Sequence, residues 1–133
     1  MGSDGLKIGV IGAGAWGTAL ARLLARNGNS VQLWCHEPET AKNILLNHVN
    51  TSFLPDIPLP ESLGASTDLL EVVRKNLILV AAPPSHLTRE IAQKISPGIT
   101  SEHILLILSK GIEKHSLSLM SEIFTEELSN LPK

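Results

Sequence analysis

Three glycines lie close together near the start of the chain, at Gly12, Gly14 and Gly17, with the spacing G-x-G-x-x-G. In a loop of this kind the first glycine permits a tight turn, the second lets a pyrophosphate approach the backbone, and the third allows the next helix to pack closely. The N–H groups at the start of that helix then face the phosphates. The spacing alone is a weak signal. Here an apolar run precedes it and a helical pattern follows it, which favours a dinucleotide site over a ligand-free glycine turn.

An acidic residue at the end of the second strand usually completes such a site by binding the adenosine ribose. In this chain Glu37 lies about one residue late for that role, after His36. The histidine could stack on adenine, lie near a 2′-phosphate when protonated, or simply be solvated. We therefore expect NAD as the cofactor, with NADP as the alternative. Cys35, the single cysteine, excludes an intrachain disulfide and is expected to be a small apolar core residue.

Ligands of parallel sheets bind at the carboxyl ends of the strands, so three segments are expected to line the site. They are 12–17, 83–86 and 109–111. Lys110 directly follows an apolar run, where its ammonium would meet a substrate phosphate or a polarised carbonyl. The remaining histidines, His48, His86, His103 and His115, lack metal-ligand spacing, so no metal site is expected.

The elements that must position these residues alternate along the chain. Apolar runs predict strands at 6–11, 30–34, 65–66, 76–82 and 104–108. Helical patterns predict helices at 15–27, 38–47, from 68 onward, from a Ser85 cap to 95, and 115–128. In the last of these, Leu117, Met120, Phe124 and Leu128 share one stripe.

This alternation predicts an α/β fold: a Rossmann-type, doubly wound, mostly parallel sheet, truncated at its C-terminal edge. Residues 7–133 would form one dinucleotide-binding domain and residues 1–6 a tail. The chain has 133 residues, 43% apolar and 18% charged, with a net charge of −2. That charge argues against a nucleic-acid partner, and no apolar run reaches the roughly 18 residues of a membrane span. We expect a cytoplasmic protein with no membrane insertion.

Five segments together resemble one enzyme family in order and spacing. They are IGAGAWGTALA (11–21), VQLW (31–34), FLPDIPLP (53–60), PPSHLTRE (83–90) and SKGIE (109–113). The chain is similar over almost its whole length to the N-terminal domain of bacterial NAD(P)-dependent glycerol-3-phosphate dehydrogenase.

The resemblance implies a role for each matching residue. Cofactor binding falls to Gly12, Gly14, Ala15, Trp16 and Gly17, with Pro84, Ser85 and Leu87 near the nicotinamide half. Lys110 matches the lysine that contacts substrate and lies by the cofactor. The chain departs from the family at His36, where a basic or aromatic residue is usual, and at Pro83, where a small aliphatic residue is usual.

The activity implied is hydride transfer between NAD(P) and dihydroxyacetone phosphate or sn-glycerol 3-phosphate, in glycerophospholipid precursor synthesis. Family members carry a mostly helical C-terminal domain that supplies a second lysine as general acid. Since this chain has no such domain, we expect it to bind cofactor without catalysis, and we expect a homodimer. Two alternatives stay open. One is a free-standing NAD-binding sensor or regulatory module, and the other is a related β-hydroxyacid or ketopantoate-type enzyme, which would lack the FLPDIPLP and SKGIE segments.

Overall fold

The computed structural model describes residues 5–132. Residues 1–4 of the predicted tail and Lys133 at the end of the predicted domain lie outside this part. In chain order the strands and helices are β1 Lys7–Ile11, α1 Ala15–Arg26, β2 Ser30–Trp34, α2 Pro38–Asn47, β3 Gly64–Ser66, α3 Leu69–Lys75, β4 Ile78–Ala81, α4 Thr88–Ile95, β5 Ile104–Ile107 and α5 Met120–Glu127. The predicted alternation of strands and helices is confirmed.

The five strands form one sheet in the order β3-β2-β1-β4-β5, and every pairing is parallel. Val10 at the centre of β1 pairs with Leu33 on one side and Val80 on the other. The chain therefore runs outward from β1 to β3 and then returns to start β4 against β1. This reversal leaves a crevice at the carboxyl ends of β1 and β4, where doubly wound sheets bind their ligands. The predicted α/β, Rossmann-type fold is confirmed.

Both faces of the sheet are covered, which explains why its central strands are almost wholly apolar. On one face Ile8 and Val10 pack with buried residues of α1 and α2. On the other face Ile11 and Leu79 pack with buried residues of α3, α4 and α5. The two layers hold β1 and β4 rigidly, and thus fix the loops that follow them. Within residues 5–132, no helix is long and apolar enough to cross a bilayer.

The last helix begins later than predicted, at Met120 rather than His115. Residues 112–119 instead form a small antiparallel turn in which Glu113 N–H donates to the Ser118 carbonyl at 2.9 Å. Leu117 adopts a positive φ of 61° and is 72% exposed, so it does not join the apolar stripe. Hydroxyl groups near the turn compete with helical hydrogen bonds: Ser116 Oγ donates to Glu113 and accepts from Ser118 N–H.

Ser85 was also predicted as the cap of the fourth helix, and that prediction is wrong. Residues Ser85–Leu87 form a short 3₁₀ turn closed by Leu87 N–H donating to the Pro84 carbonyl at 2.9 Å, and α4 starts only at Thr88. The two prolines before Ser85 hold the backbone extended and delay the helix. The strand ends differ from prediction by one or two residues.

Candidate functional site

The glycine loop between β1 and α1 has two positions where a side chain cannot fit. Gly12 has φ +122°, and a Cβ there would lie 2.5 Å from the Ala82 carbonyl oxygen at the end of β4. A Cβ at Gly17 would lie 2.0 Å from the Gly12 carbonyl oxygen. These two glycines let the loop turn tightly between the two central strands and let α1 start directly against it.

Gly14 differs from both, because a Cβ there would have no atom of the protein within 4 Å. It is the N-cap residue of α1, in an extended conformation and with no side-chain cap. The helix start leaves the N–H groups of Ala15, Trp16 and Gly17 without intrahelical acceptors. No side chain covers the backbone at Gly14, and its N–H groups lie at the positive end of the helix. This arrangement suits a pyrophosphate.

A cleft of about 580 Å³ opens over this loop at the carboxyl ends of β1 and β4. Eight predicted cofactor residues line it: Gly12, Gly14, Ala15, Trp16, Gly17, His36, Pro84 and Leu87. Its other lining residues include Trp34, Glu37, Phe53, Thr67, Glu90, Ile91, Lys94 and Ser109. The structure thus brings together segments from six loops and from α4 around one cavity large enough for a small-molecule ligand.

Ser85 and Lys110 do not line the cleft. Lys110 is exposed and directly follows Ser109. Ser109 does line the cleft, and its hydroxyl donates to the Pro83 carbonyl at 2.6 Å. Ser85 lies on the same side, since its Oγ is 3.7 Å from where a Cβ on Gly111 would stand. The roles assigned to these two residues stay predictions.

Part of the cleft is formed by the last residue of β2 and by residues that follow it. The Trp34 and His36 rings stack with centroids 6.0 Å apart and an interplanar angle of 19°. Trp34 Nε1 donates to the Thr67 carbonyl at 3.0 Å, which fixes the indole. His36 and Glu37 are exposed beside it. An exposed ring and a carboxylate at this edge are suited to an adenosine and its ribose hydroxyls.

Cys35 does not line the cleft. Its side chain is fully buried in the core. Burial, and to a smaller degree the charge of Glu37, raises the pKa of the Cys35 thiol to about 12. Because only the thiolate is a strong nucleophile, this cysteine is a small apolar core residue, in agreement with the sequence-based expectation.

A cluster of charged side chains fastens α4 to the segment that carries Lys110. Arg89 Nη2 donates to Glu113 Oε1 at 2.7 Å, and Arg89 Nε donates to Glu113 Oε2 at 2.8 Å. Arg89 Nη1 donates to Glu126 at 3.0 Å and also to Glu127. The hydrogen bonds from Arg89 lower the pKa of Glu113 to about 2, with a smaller effect from Ser116. The same carboxylates raise the pKa of Arg89.

The histidines do not assemble into a ligand set. Among the described residues there is no group of three or more His, Cys, Asp or Glu side chains that could hold a metal ion. His103 is buried and bonded on both ring nitrogens, to the Val73 carbonyl at 2.9 Å and to Thr100 N–H at 3.0 Å. Its role is structural, joining α3 to the turn before β5.

The sequence analysis did not single out Asn50, which lies in the loop between α2 and β3. It is fully buried, and its amide nitrogen donates to the Ala13 carbonyl at 2.9 Å and to Thr18 Oγ1 at 2.8 Å. A lone asparagine before a proline-rich loop is typical of turns, so no local signal distinguishes it. Its partners lie 37 and 32 positions away in sequence.

The strand order and the glycine loop at the switch point together define the class of Rossmann domains. Within that class, the chain belongs to a family of known dehydrogenases. The family model described as "NAD-dependent glycerol-3-phosphate dehydrogenase N-terminus" matches residues 7–132.

Relatives with high identity agree with this assignment. The chain is 47% identical over 123 residues to glycerol-3-phosphate dehydrogenase [NAD(P)+] of Leptospira biflexa, covering 92% of this chain and 37% of that enzyme. It is 42% identical over 127 residues to the enzyme of the same name from Acinetobacter baumannii strain SDF, covering 96% of this chain and 35% of that enzyme. The chain therefore spans a little over one third of the length of these relatives.

Solved structures show the same fold. Glycerol-3-phosphate dehydrogenase from Coxiella burnetii superposes with a TM-score of 0.86 at 33% identity, covering 95% of this chain and 38% of that one. A ketopantoate reductase from Ralstonia eutropha superposes with a TM-score of 0.76 at 23% identity, covering 96% of this chain and 40% of that one. The second likeness concerns the fold alone.

Proposed function

We propose that this chain is the cofactor-binding part of an NAD(P)-dependent glycerol-3-phosphate dehydrogenase. The whole enzyme would interconvert dihydroxyacetone phosphate and sn-glycerol 3-phosphate and so supply a glycerophospholipid precursor. The observation that carries the proposal is the open space above Gly14, at the switch point of the sheet, in a chain that belongs to this family.

In this proposal an extended dinucleotide lies along the cleft, whose volume of about 580 Å³ supports it. Backbone N–H groups of Ala15, Trp16 and Gly17 would hold the pyrophosphate. His36 and Glu37 would flank the adenosine, and Pro84 and Leu87 would border the nicotinamide. When bound, the nicotinamide ring supplies or accepts the hydride.

Lys110 is the residue of this chain proposed to contact substrate. In the reducing direction, negative charge grows on the carbonyl oxygen of dihydroxyacetone phosphate. An ammonium placed beside that oxygen stabilises the transition state more than the ground state. Proton delivery and most phosphate contacts would come from the second domain that the family resemblance implies.

Both tryptophans of the chain line the cleft, which gives a direct binding assay. Trp16 is 65% exposed beside Gly14, and Trp34 stacks on His36 at the adenosine end. Titration with NADH, with excitation of tryptophan and detection of nicotinamide emission, should show saturable energy transfer. No transfer and no calorimetric heat with either NADH or NADPH would contradict the proposal.

The family resemblance also supports a homodimer and a cytoplasmic location for the whole enzyme. Sedimentation of the complete protein, beside the isolated chain, would test the first. Both stay predictions.

A further inference from the structure

Asn50 is a fully buried polar residue directly beneath the glycine loop. Its two amide hydrogens are both used, one on the Ala13 carbonyl at 2.9 Å and one on Thr18 Oγ1 at 2.8 Å. Its own side-chain oxygen accepts from Phe53 N–H at 3.2 Å. The two hydrogen bonds that the amide donates therefore join segments that are remote in sequence, whereas the one that it accepts is local.

These contacts hold both ends of the loop. Ala13 lies between two glycines, where the backbone has the most freedom, and Thr18 lies in the first turn of α1. Thr18 N–H donates in turn to the Gly14 carbonyl at 2.9 Å. The Asn50 amide thus keeps the Ala13 carbonyl, before the helix, at a fixed distance from the Thr18 hydroxyl, inside it. With these two groups held, the N–H groups at the start of α1 stay free for a ligand in the cleft.

The same residue also holds a second part of the cleft lining. The Asn50 backbone carbonyl accepts from Leu54 N–H at 2.8 Å, next to the bond from Phe53 N–H to the side chain. Phe53 is 44% exposed and lines the cleft, which here is called the Phe53 wall. A movement of Asn50 would thus displace the glycine loop and the Phe53 wall together.

We propose that Asn50 is a positioning residue for the dinucleotide, holding the Gly12–Gly17 loop and the Phe53 wall in the conformation that binds it. The inference rests on the proposed function and deepens it. Only an amide satisfies the geometry, because the side chain must donate twice from one nitrogen and accept with its oxygen. A carboxylate at this place would face the Ala13 carbonyl without a hydrogen to share.

The test compares NADH affinity and thermal stability in Asn50→Ala, Asn50→Asp and a matched control. The control is Asn76→Ala, since Asn76 is also buried and its amide donates to the Val72 carbonyl at 2.8 Å and to Gln32 at 3.2 Å. It lies before β4, at the end of the sheet opposite the cleft. We expect both alanine variants to melt earlier, but only Asn50→Ala to bind NADH about tenfold more weakly. Asn50→Asp should bind more weakly still, because its charge lies near the pyrophosphate.

A second pair of variants acts on the partner of Asn50 and covers the case in which Asn50→Ala does not fold. Thr18→Val keeps the shape of the buried side chain but removes the oxygen, whereas Thr18→Ser keeps the oxygen. We expect Thr18→Val to weaken NADH binding several-fold and Thr18→Ser to bind like the wild type.

The results separate the two proposals. A wild-type chain that does not bind NADH would overturn the proposed function and this inference with it. If the wild type binds, an unchanged dissociation constant in Asn50→Ala or an equal loss in Asn76→Ala would overturn the inference alone. Where Asn50→Ala does not fold, equal affinities of Thr18→Val and Thr18→Ser would do the same.

Discussion

A side chain at Gly14 would have free space around it, whereas one at Gly12 or Gly17 would meet a backbone oxygen within 2.5 Å. The three glycines of one motif are therefore required for different reasons. Two of them allow the loop to fold, and the third leaves room for a ligand. Substitutions at these positions should separate folding from binding.

The first prediction uses this difference. Gly14→Val should fold like the wild type, because its backbone is extended and its new methyl groups point into the open cleft, yet it should not bind NADH. Gly17→Ala should instead lose stability, by about 1–3 kcal/mol or more, because its Cβ overlaps the Gly12 carbonyl. Thermal melts and NADH titrations of both variants provide the measurement. Wild-type affinity in Gly14→Val would contradict the assignment of the pyrophosphate site.

The second prediction concerns cofactor choice. Glu37 lines the cleft at the proposed adenosine end, where its carboxylate should repel the 2′-phosphate of NADPH. We expect NADH to bind more tightly than NADPH by a few-fold, because only NADPH brings a second negative group to this carboxylate. Fluorescence titrations with both cofactors measure the two dissociation constants. Glu37→Gln should bring the two constants closer together, and tighter binding of NADPH to the wild type would reverse the assignment.

The glycines could be predicted from sequence because their spacing is local and follows an apolar strand. Asn50 could not, because its function depends on Ala13 and Thr18, which only the folded sheet brings near it. Lys110 was singled out by its position after an apolar run and then by the family resemblance, and the structure leaves it outside the cleft lining. Residues that act through remote contacts are those that sequence patterns miss.

At the scale of elements, α4 and α5 share a buried apolar core, and one guanidinium of α4 adds polar contacts to the chain beyond β5. Arg89 binds Glu113 in the turn and Glu126 and Glu127 on α5. Lys110 lies three residues before Glu113, just ahead of that turn. The Arg89 cluster therefore anchors the chain close to the proposed substrate lysine.

The third prediction follows from the low pKa of Glu113. The Arg89 hydrogen bonds lower that pKa from its ordinary value of 4.5 to about 2 in the folded chain. A group with a depressed folded pKa stabilises the fold above its unfolded pKa, and this contribution is lost as the pH falls from 4.5 towards 2. Glu113→Gln should thus be less stable near neutral pH and lose less stability over that acid range. The measurement is the denaturant midpoint of each protein between pH 7 and pH 2, with Glu61→Gln, a change at an exposed residue, as the control. If the midpoints of Glu113→Gln and the wild type fall in parallel with pH, the prediction is wrong.

The five strands and the first three helices were predictable because apolar periodicity and glycine or proline boundaries mark them. The start of α5 was not. Leu117 has the spacing of a helical stripe, but Ser118 N–H donates to Ser116 Oγ, which in turn donates to Glu113, and the segment forms a turn. A side chain that bonds to the nearby backbone can override a periodic pattern in this way.

At the scale of the whole molecule, the cleft lies at the carboxyl ends of the strands, and β5 is the edge strand of the sheet. Alternate residues of that strand, Ile104 and Leu106, are 42% and 50% exposed. Lys110 follows the same strand and is exposed. The proposed substrate contact thus stands at the boundary of this domain, where the second domain of the family resemblance would complete the substrate site.

The fourth prediction is that binding and catalysis separate with chain length. The 133-residue chain by itself should bind NADH but show no measurable reduction of dihydroxyacetone phosphate, because a positioned proton donor and a phosphate clamp are missing from the proposed set. Activity should appear in a longer protein that joins this chain to a C-terminal domain of the family.

In that protein Lys110→Ala should lower turnover on the order of 10²-fold, as expected on removing one preorganised electrostatic group. NADH affinity should stay within a few-fold, and the free energy of unfolding should change by about 0.5 kcal/mol or less, because the lysine is exposed. Steady-state assays, cofactor titrations and melts of the pair measure all three quantities. Wild-type turnover in Lys110→Ala would show that the substrate contact is made by another residue, whereas full activity in the 133-residue chain would show that one domain suffices.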